Sequence, residues 1–374
     1  MASVAGMVGP THTHVLISRT PLDGSGQNHS LQKAAQKQRK AWQGSIERSM
    51  SKRLDAEVAM GESVWLLDRI QSDWEVDTLC TALTDQGIPS ERVDWGEILP
   101  HGSPPGFSGP QGIRDAPELA VVTARVLTRH VEGDMALLYD WLSMLERRGT
   151  RLVNAVDALR VCQNKIWQAA TLAEAGVPVP PTRAVRSADD VEQCLADWRD
   201  VIVKPIAGHA SVDVIRLLAA GKGGQPGSLL GLREDIVLWH WLRRHAVLCA
   251  QKFVDNPGRD LRAVVIGDQV ASCQYHISTA PDGSVRSLLH PLRWEPAALT
   301  GDLEDLLVRS VRALGLDMAT IDVVEGPDGP VVIEVNPTVS RWEPVEGTEL
   351  DLTPRGITAA QVELIARLLQ PSPG

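Results

Sequence analysis

From about residue 60 onward, short apolar runs alternate with stretches of helical spacing. That alternation restricts the chain to an α/β fold with parallel strand pairing. Residues 63–67 (SVWLL) read as a strand and 73–86 as the helix after it, closing at Gln-Gly-Ile-Pro. A short strand over 92–95, a Pro/Gly-rich loop over 100–112, the strand Leu119–Val122, a helix over 135–148 and a strand over 151–154 complete a β/α unit. The helix 165–175 meets Gly176, where glycine ends it, and the prolines beyond it force an extended exit. Strands are expected over 200–205 (DVIVKP) and 213–217, a loop over 221–231 and a helix over 233–244. Then 246–254, 261–266 and 269–276 read as one antiparallel series with short turns. A helix over 302–314 precedes strands 319–324 and 331–335, joined by the hairpin turn Gly326-Pro-Asp-Gly329, and a helix spans 358–369.

Charge separates the first 60 residues from the rest. They carry eight Lys/Arg and four Asp/Glu, net +4, within a chain whose 37 basic and 47 acidic residues sum to −10, which leaves −14 on the other 314. Residues 1–30 show no sustained period and read as disorder. From Leu31 the apolar positions fall mostly four apart, as on one helix face. A basic amphipathic helix, a flexible extension, and a translation start at Met60 all remain open for this stretch. The acidic body argues against a nucleic-acid or anionic-membrane surface, because phosphate surfaces reward clustered Lys and Arg. No apolar run approaches the ~20 residues that span a bilayer, and no secretory signal is visible, so the cytoplasm is expected. Cys80, Cys162, Cys194, Cys249 and Cys273 lie far apart without a C-x-x-C pair, which argues against a disulfide framework or a zinc site.

Three groups of residues can carry chemistry. Asp322 lies on one C-terminal strand, and Glu334 and Asn336 lie two apart on the next, hence on one face. All-oxygen donors on neighbouring strands suit Mg²⁺, with phosphates and waters completing the octahedron; the solvated end of an edge hairpin has the same composition. Lys204 ends the apolar run V-I-V-K-P just before a glycine-containing loop, where a cation beside backbone N–H groups suits a polyphosphate. An exposed strand-terminal lysine reads the same way, and Lys165, opening a helix, carries both readings too. In the run from Ala250 to Arg262, Asp260 and Arg262 share a face by the period of two. Backbone groups there can hold a purine edge and a carboxylate can accept from ribose hydroxyls, whereas a plain hairpin accounts for the same residues.

The order of the pieces N-K-I-W…A-G-V-P-V-P-P-T, V-I-V-K-P-I-A-G, Q-K-F-V-D-N-P-G-R-D-L-R-A-V-V-I-G, L-G-L-D-M-A-T-I-D-V-V and V-V-I-E-V-N-P resembles the ATP-grasp superfamily. Within it, the chain is similar to the RimK-like ligases of the alpha-L-glutamate type, which add amino acids to a carboxylate. The resemblance runs from about Ser63 to the end and implies an α/β ATP-grasp fold: a β/α pre-ATP-grasp domain over 61–160, a lid over 161–245 and a C-terminal ATP- and metal-binding domain over 246–374, with the basic extension 1–60 outside it. It implies that Lys165 and Lys204 contact ATP phosphates, that Gln251, Lys252, Phe253 and Val254 form the segment reading adenine, and that Asp260 holds the ribose. Arg262 and Arg286 would serve the phosphate and acyl-phosphate region, and Asp322, Glu334 and Asn336 would bind Mg²⁺ or Mn²⁺.

The implied reaction joins an amino-acid amine to a small-molecule or peptide carboxylate through an acyl phosphate, with self-association left open. No protein nucleophile is required, so the lack of a Ser-His-Asp or Cys-His signature costs nothing. Departures from the family pattern gather at the phosphate lid and the acceptor side. The loop Gly208-His-Ala-Ser-Val-Asp213 keeps one glycine, and Tyr275 and Leu288 stand at an Arg and an Asn position. Leu292-Arg293 replaces Gly-Gly, and Asn164 stands for Asp. They imply an altered substrate or lid, with an ATP-binding scaffold that has lost turnover as the alternative.

Overall fold

The computed structural model describes residues 64–69, 74–102, 105–110, 112–113, 115–127, 132–208, 213–219, 232–278, 292–339 and 354–370. The basic extension, Arg286, Leu288 and His209 lie outside them. Two units are distinguished, Met1–Ala59 and Met60–Gly374, and every described residue belongs to the second.

The apolar run β1 (Val64–Asp68) is buried along its whole length, as a central parallel strand must be. The helix α1 (Trp74–Asp85) carries the chain to β2 (Ser90–Asp94), parallel to β1. Where a Pro/Gly-rich loop was expected, the chain forms a three-stranded antiparallel sheet of β3 (Leu99–Gly102), β4 (Pro105–Gly109) and β5 (Gly112–Ile113). Proline at a strand's first residue needs no ladder donor. The anchor is Phe107, fully buried with its ring edge-on to Trp65 at 5.5 Å and to Trp141 at 5.7 Å. After β6 (Leu119–Val122), α2 (Ala124–Leu127) and α3 (Glu132–Arg147), β7 (Arg151–Val153) closes a parallel sheet in the order β2-β1-β6-β7.

Two helices come after β7, α4 (Val156–Gln163) and α5 (Lys165–Glu174), the first unforeseen because its eight residues are too few to show a period. Gly176, at φ +70, ends the pair by donating to Ala173 O at 3.0 Å. Next come β8 (Thr182–Val185) and α6 (Ala188–Trp198). The helix α6 opens on a capping box: Ser187 Oγ accepts from Asp190 N at 3.1 Å while Asp190 Oδ2 accepts from Ser187 N at 3.0 Å. Then β9 (Asp200–Pro205), β10 (Ile215–Leu218), α7 (Leu232–His245) and β11 (Leu248–Lys252) complete an antiparallel sheet ordered β10-β9-β11-β8.

The expected single series over 246–276 is therefore corrected. β11 belongs to this sheet, whereas β12 (Arg259–Ile266) and β13 (Gln269–Ser278) open another. Alternation announces a strand but not its neighbour. With β14 (Leu292–Pro296), α8 (Gly301–Ala313), β15 (Met318–Gly326) and β16 (Gly329–Asn336), the third of the larger sheets, counted in chain order without the three-stranded one, runs β14-β13-β12-β15-β16. The helix α9 (Pro354–Leu368) ends the described chain but for two residues.

The two faces of the third sheet have different work. Leu261, Ala263, Ile321, Val323 and Val335 pack with α8 and with Ala158, Cys162, Leu172 and Val177 of the α4–α5 region. On the opposite face Val264, Ile266 and Met318 join Ile357, Val362 and Ile365 of α9 and Val76, Leu79 and Leu83 of α1. At about 1.5–3 kcal/mol for each large side chain buried, this shared core ties the first sheet to the third. It covers one end of that face. Beyond it the strands carry Asp260, Arg262, Asp322 and Glu334.

Candidate active site

Strand register assembles the site. Arg262 on β12 stands beside Asp322 on β15, and Asp322 beside Glu334 on β16, while Thr320 faces Asn336. With strands about 4.8 Å apart, three functional groups line one row across the sheet. Arg262 Nη1 lies 3.5 Å from Asp322 Oδ1. Lys165 reaches the far end, donating from Nζ to Glu334 Oε1 at 2.7 Å and to Gly208 O at 3.1 Å. Its helix is fixed at that point because Asn164 Oδ1 accepts from Ile166 N and Trp167 N at 3.1 Å each. Asn164, a departure in the sequence pattern, thus serves as the N-cap of α5. The backbone N–H of Lys165 donates to Ile206 O at 3.1 Å, which holds the helix start against the segment after Lys204.

Burial sets the electrostatics. Lys204 is buried, and desolvation pushes its ammonium pKa down, with the Glu334 carboxylate opposing. Burial works to raise the Glu334 carboxyl, but Lys165 and Lys204 outweigh it and hold the group below the usual carboxylate range. Asp322 goes the other way, raised by burial and by Glu334 against the pull of Arg262. Asp260 is pushed up to about 8, by burial first and by Asp322 second.

Asp322 Oδ1 and Asp260 Oδ1 are buried without a hydrogen-bond partner among the described residues. Of these, Asp322 Oδ1 lies on the strand paired with Glu334 and Asn336, and an unpartnered carboxylate oxygen beside two further oxygen-bearing side chains fits Mg²⁺. Among the described residues no group of three or more His, Cys, Asp or Glu could hold a metal. Asp322 and Glu334 with the Asn336 amide would make a smaller set, in keeping with Mg²⁺, which takes one or two carboxylates together with nucleotide phosphates.

The segment expected to read adenine lies where β11 leaves the second sheet. Gln251 Nε2 donates to Thr182 Oγ1 at 3.1 Å. The N–H groups of Lys252 and Phe253 donate to Pro181 O at 2.9 Å and Asp200 O at 3.0 Å. An adenine contact through this segment therefore uses groups other than those two. Arg216 covers the Phe253 ring at 3.5 Å. Val254 lies over Gly326, where a Cβ would come within 2.9 Å of Val254 Cγ1; the hairpin needs glycine there for that close approach.

Asp260 shares its face with Arg262, and Asp260 Oδ1 lies 3.6 Å from His276 Nδ1. Burial, then Arg262, pushes the His276 imidazole down to about 3. Its ring stands on Trp294 at 3.8 Å. His276 and Gln274, the latter opposite Arg262, were not singled out in the sequence. The family pattern marks Tyr275 between them, yet Tyr275 points to the opposite face: its hydroxyl donates to Glu325 Oε1 at 2.9 Å and Arg259 covers its ring at 3.9 Å. The period of two assigns 274 and 276 to the site once the register with β12 is known.

Comparison with known proteins decides the family. A family model described as the RimK-like ATP-grasp domain matches residues 162–353, just over half of the chain. The chain belongs to the RimK-like ATP-grasp family. This RimK-like protein is 27% identical over 265 residues to a tetrahydromethanopterin:alpha-L-glutamate ligase of Methanosarcina acetivorans, covering 68% of this chain and 79% of that protein. It is 32% identical over 227 residues to the N-acetylaspartylglutamate synthase A of Homo sapiens, covering 59% of this chain and 54% of that protein.

Among solved structures, the ATP-grasp ligase PsnB complexed with a minimal precursor superposes with a TM-score of 0.61 at 21% identity, over 82% of this chain and 99% of that one, a likeness of fold. The RimK-like protein is thus an α/β ATP-grasp enzyme of the carbon–nitrogen-forming class, with the ATP and Mg²⁺ use general to that class. Among its described residues no helix is long and apolar enough to cross a membrane.

Proposed function

We propose that this ligase uses ATP to convert a small-molecule or peptide carboxylate into an acyl phosphate and then joins the amine of an amino acid to it. Glutamate is the amine to which its relatives' names point. The observation that carries the reading is the row Arg262–Asp322–Glu334 with Lys165 on Glu334 and Lys204 buried beside it. A carboxylate attacking the γ-phosphorus brings two anions together, and catalysis consists of offsetting that repulsion and holding the partners in line.

Mg²⁺, when bound by Asp322, Glu334 and Asn336, supplies charge neutralisation on the phosphates. Lys165 and Lys204 hold positive charge beside the transferring group from a desolvated position, where it counts for more than in water. Arg262 lies on the same face and stabilises the tetrahedral oxyanion as the amine attacks; Arg286 is assigned beside it from sequence alone. Asp260 is assigned to the ribose, and Gln251 to Val254 to the adenine. The second sheet supports drawing the lid as 182–252 rather than 161–245, with 161–181 grouped with the C-terminal body. The substrates are cytoplasmic small molecules or peptides, with no role for nucleic acid or membrane.

The test is direct. Purified protein given glutamate and a panel of carboxylates should release ADP and phosphate, and Glu334→Ala should lower turnover by about 10²-fold to 10³-fold, as expected when one electrostatic stabiliser of the phosphoryl group is removed. Release of AMP, or full turnover in Glu334→Ala, would sink the reading; Mg·ATP binding without turnover across the panel would favour a scaffold.

A further inference from the structure

β16 is an edge strand, so its outer backbone groups need partners from outside the sheet. At Val335, between Glu334 and Asn336, that partner is a side chain. Gln168 Oε1 accepts from Val335 N at 2.9 Å, and Gln168 Nε2 donates to Val335 O at 2.7 Å and to Cys162 O at 3.1 Å. One carboxamide thus pairs with both backbone groups of a residue, as a neighbouring strand would. A second carboxamide holds the residue after Asn336. Asn154 Nδ2 donates to Pro337 O at 2.7 Å and Met318 O at 2.8 Å, and Asn154 Oδ1 accepts from Asp317 N at 2.6 Å and Met318 N at 3.1 Å. Gln168 is 3% exposed and Asn154 0%.

Apolar contact alone would let a helix slide along an edge strand, because dispersion and burial have no direction. Gln168 removes that freedom for α5, while Asn154 ties Pro337 to the start of β15. Gln168 also lies one turn after Lys165 on α5, so the helix that presents Lys165 to Glu334 is itself registered on the backbone that presents Glu334.

We propose that Gln168, with Asn154 as a second anchor, is a positioning residue for the divalent cation: it locks the backbone of 334–336 so that Glu334 and Asn336 offer their oxygens at a fixed separation. The inference rests on assigning those two residues to the metal. Mg²⁺ demands near-ideal octahedral geometry, whereas Ca²⁺ accepts flexible surroundings. Loosening the pin therefore weakens Mg²⁺ more than Ca²⁺.

The experiment uses the full chain with a non-hydrolysable imido analogue of ATP. Mn²⁺ binding is followed by electron paramagnetic resonance, and Mg²⁺ and Ca²⁺ affinities are obtained by displacement. Gln168→Met, of similar length and unable to pair with Val335, should weaken Mg²⁺ by about 10-fold to 100-fold, the range for lost support of a metal ligand. Ca²⁺ should weaken by less than about threefold, and nucleotide affinity in chelator should stay within about twofold. Gln168→Glu keeps the acceptor for Val335 N–H and loses the donor. It should fall between wild type and Gln168→Met, and it carries the same comparison should Gln168→Met not fold. Unchanged Mg²⁺ affinity in both variants, or equal losses for Mg²⁺, Ca²⁺ and metal-free nucleotide, would overturn the proposal. Glu334→Gln separates the two levels. If it binds Mg²⁺ as wild type does, the metal assignment itself fails and this inference with it; if it does not, a Gln168 variant indistinguishable from wild type defeats this inference alone.

Discussion

Lys165→Met removes the cation from a pair whose Nζ–Oε1 distance is 2.7 Å and whose side chains are 10% and 25% exposed. A hydrogen bond to a charged group contributes about 1.5–3 kcal/mol, and breaking a well-buried pair costs more, about 3–5 kcal/mol. Glu334 keeps some solvent and retains Lys204 nearby, so the lower range applies and a loss of about 2 kcal/mol is expected. At about 2–4 °C per kcal/mol for a larger domain, the melting temperature should fall by about 4–8 °C.

The direction with pH is set by Glu334. Its folded pKa lies below the ordinary 4.5, so its stabilisation is present above that value and is lost as pH falls through the folded pKa. Removing Lys165 shrinks that depression and should flatten the acid limb of stability. A divalent cation can then supply the missing charge beside Glu334, so Mg²⁺ alone should raise the melting temperature of the variant by more than that of wild type. Calorimetric scans from about pH 2 to pH 8, with and without Mg²⁺, provide the assay. A variant that melts within about 1 °C of wild type, or one to which Mg²⁺ gives no extra stabilisation, would refute the reasoning.

Asp260, with its carboxyl raised to about 8 from 3.8, destabilises the metal-free fold as pH rises through that interval, because the folded state binds the proton more tightly. Asp260→Asn should therefore flatten the fall in melting temperature between pH 4 and 8 measured in chelator. Tyr275→Phe should cost about 0.5–1.5 kcal/mol by denaturant titration, the worth of one hydrogen bond, and leave kcat/KM within about twofold, since its hydroxyl bonds Glu325 on the face away from Asp322. A large loss of kcat/KM there would show that Tyr275 does stand in for the family's arginine.

Much of the molecule was legible because its signals are local. The apolar runs that became β1, β6 and β9 needed only their own composition, and Arg262, Asp322 and Glu334 stood out as motif members. What could not be read was partnership. The alternation in 248–252 is no different from that in 259–266, yet the two strands lie in different sheets. The Arg262–Asp322–Glu334 row depends on a register that shifts between Asp322 and Val323, and nothing in either strand announces that irregularity. Gln168 and Asn154 were missed for a similar reason: a buried carboxamide in a helix or after a short strand has no period, and its meaning lies in the backbone it meets about 167 or 183 positions later.

The chain enters the second sheet past Pro181 and leaves it at Lys252, and these two residues are joined by a backbone hydrogen bond of 2.9 Å. Everything between them begins and ends at nearly one point. The buried cluster around α8 takes no described residue from that interval, and the cluster of Val185, Val201, Val203, Leu238 and Leu248 takes none from outside it. The segment is thus a cassette, spliced into a body whose own interior closes without it. Its apolar interior is free to change as long as Lys204, Gln251 and Lys252 keep their places, while the row on β12, β15 and β16 stays as it is. An engineer could exchange it between relatives at two neighbouring seams, one of them already stiffened by prolines.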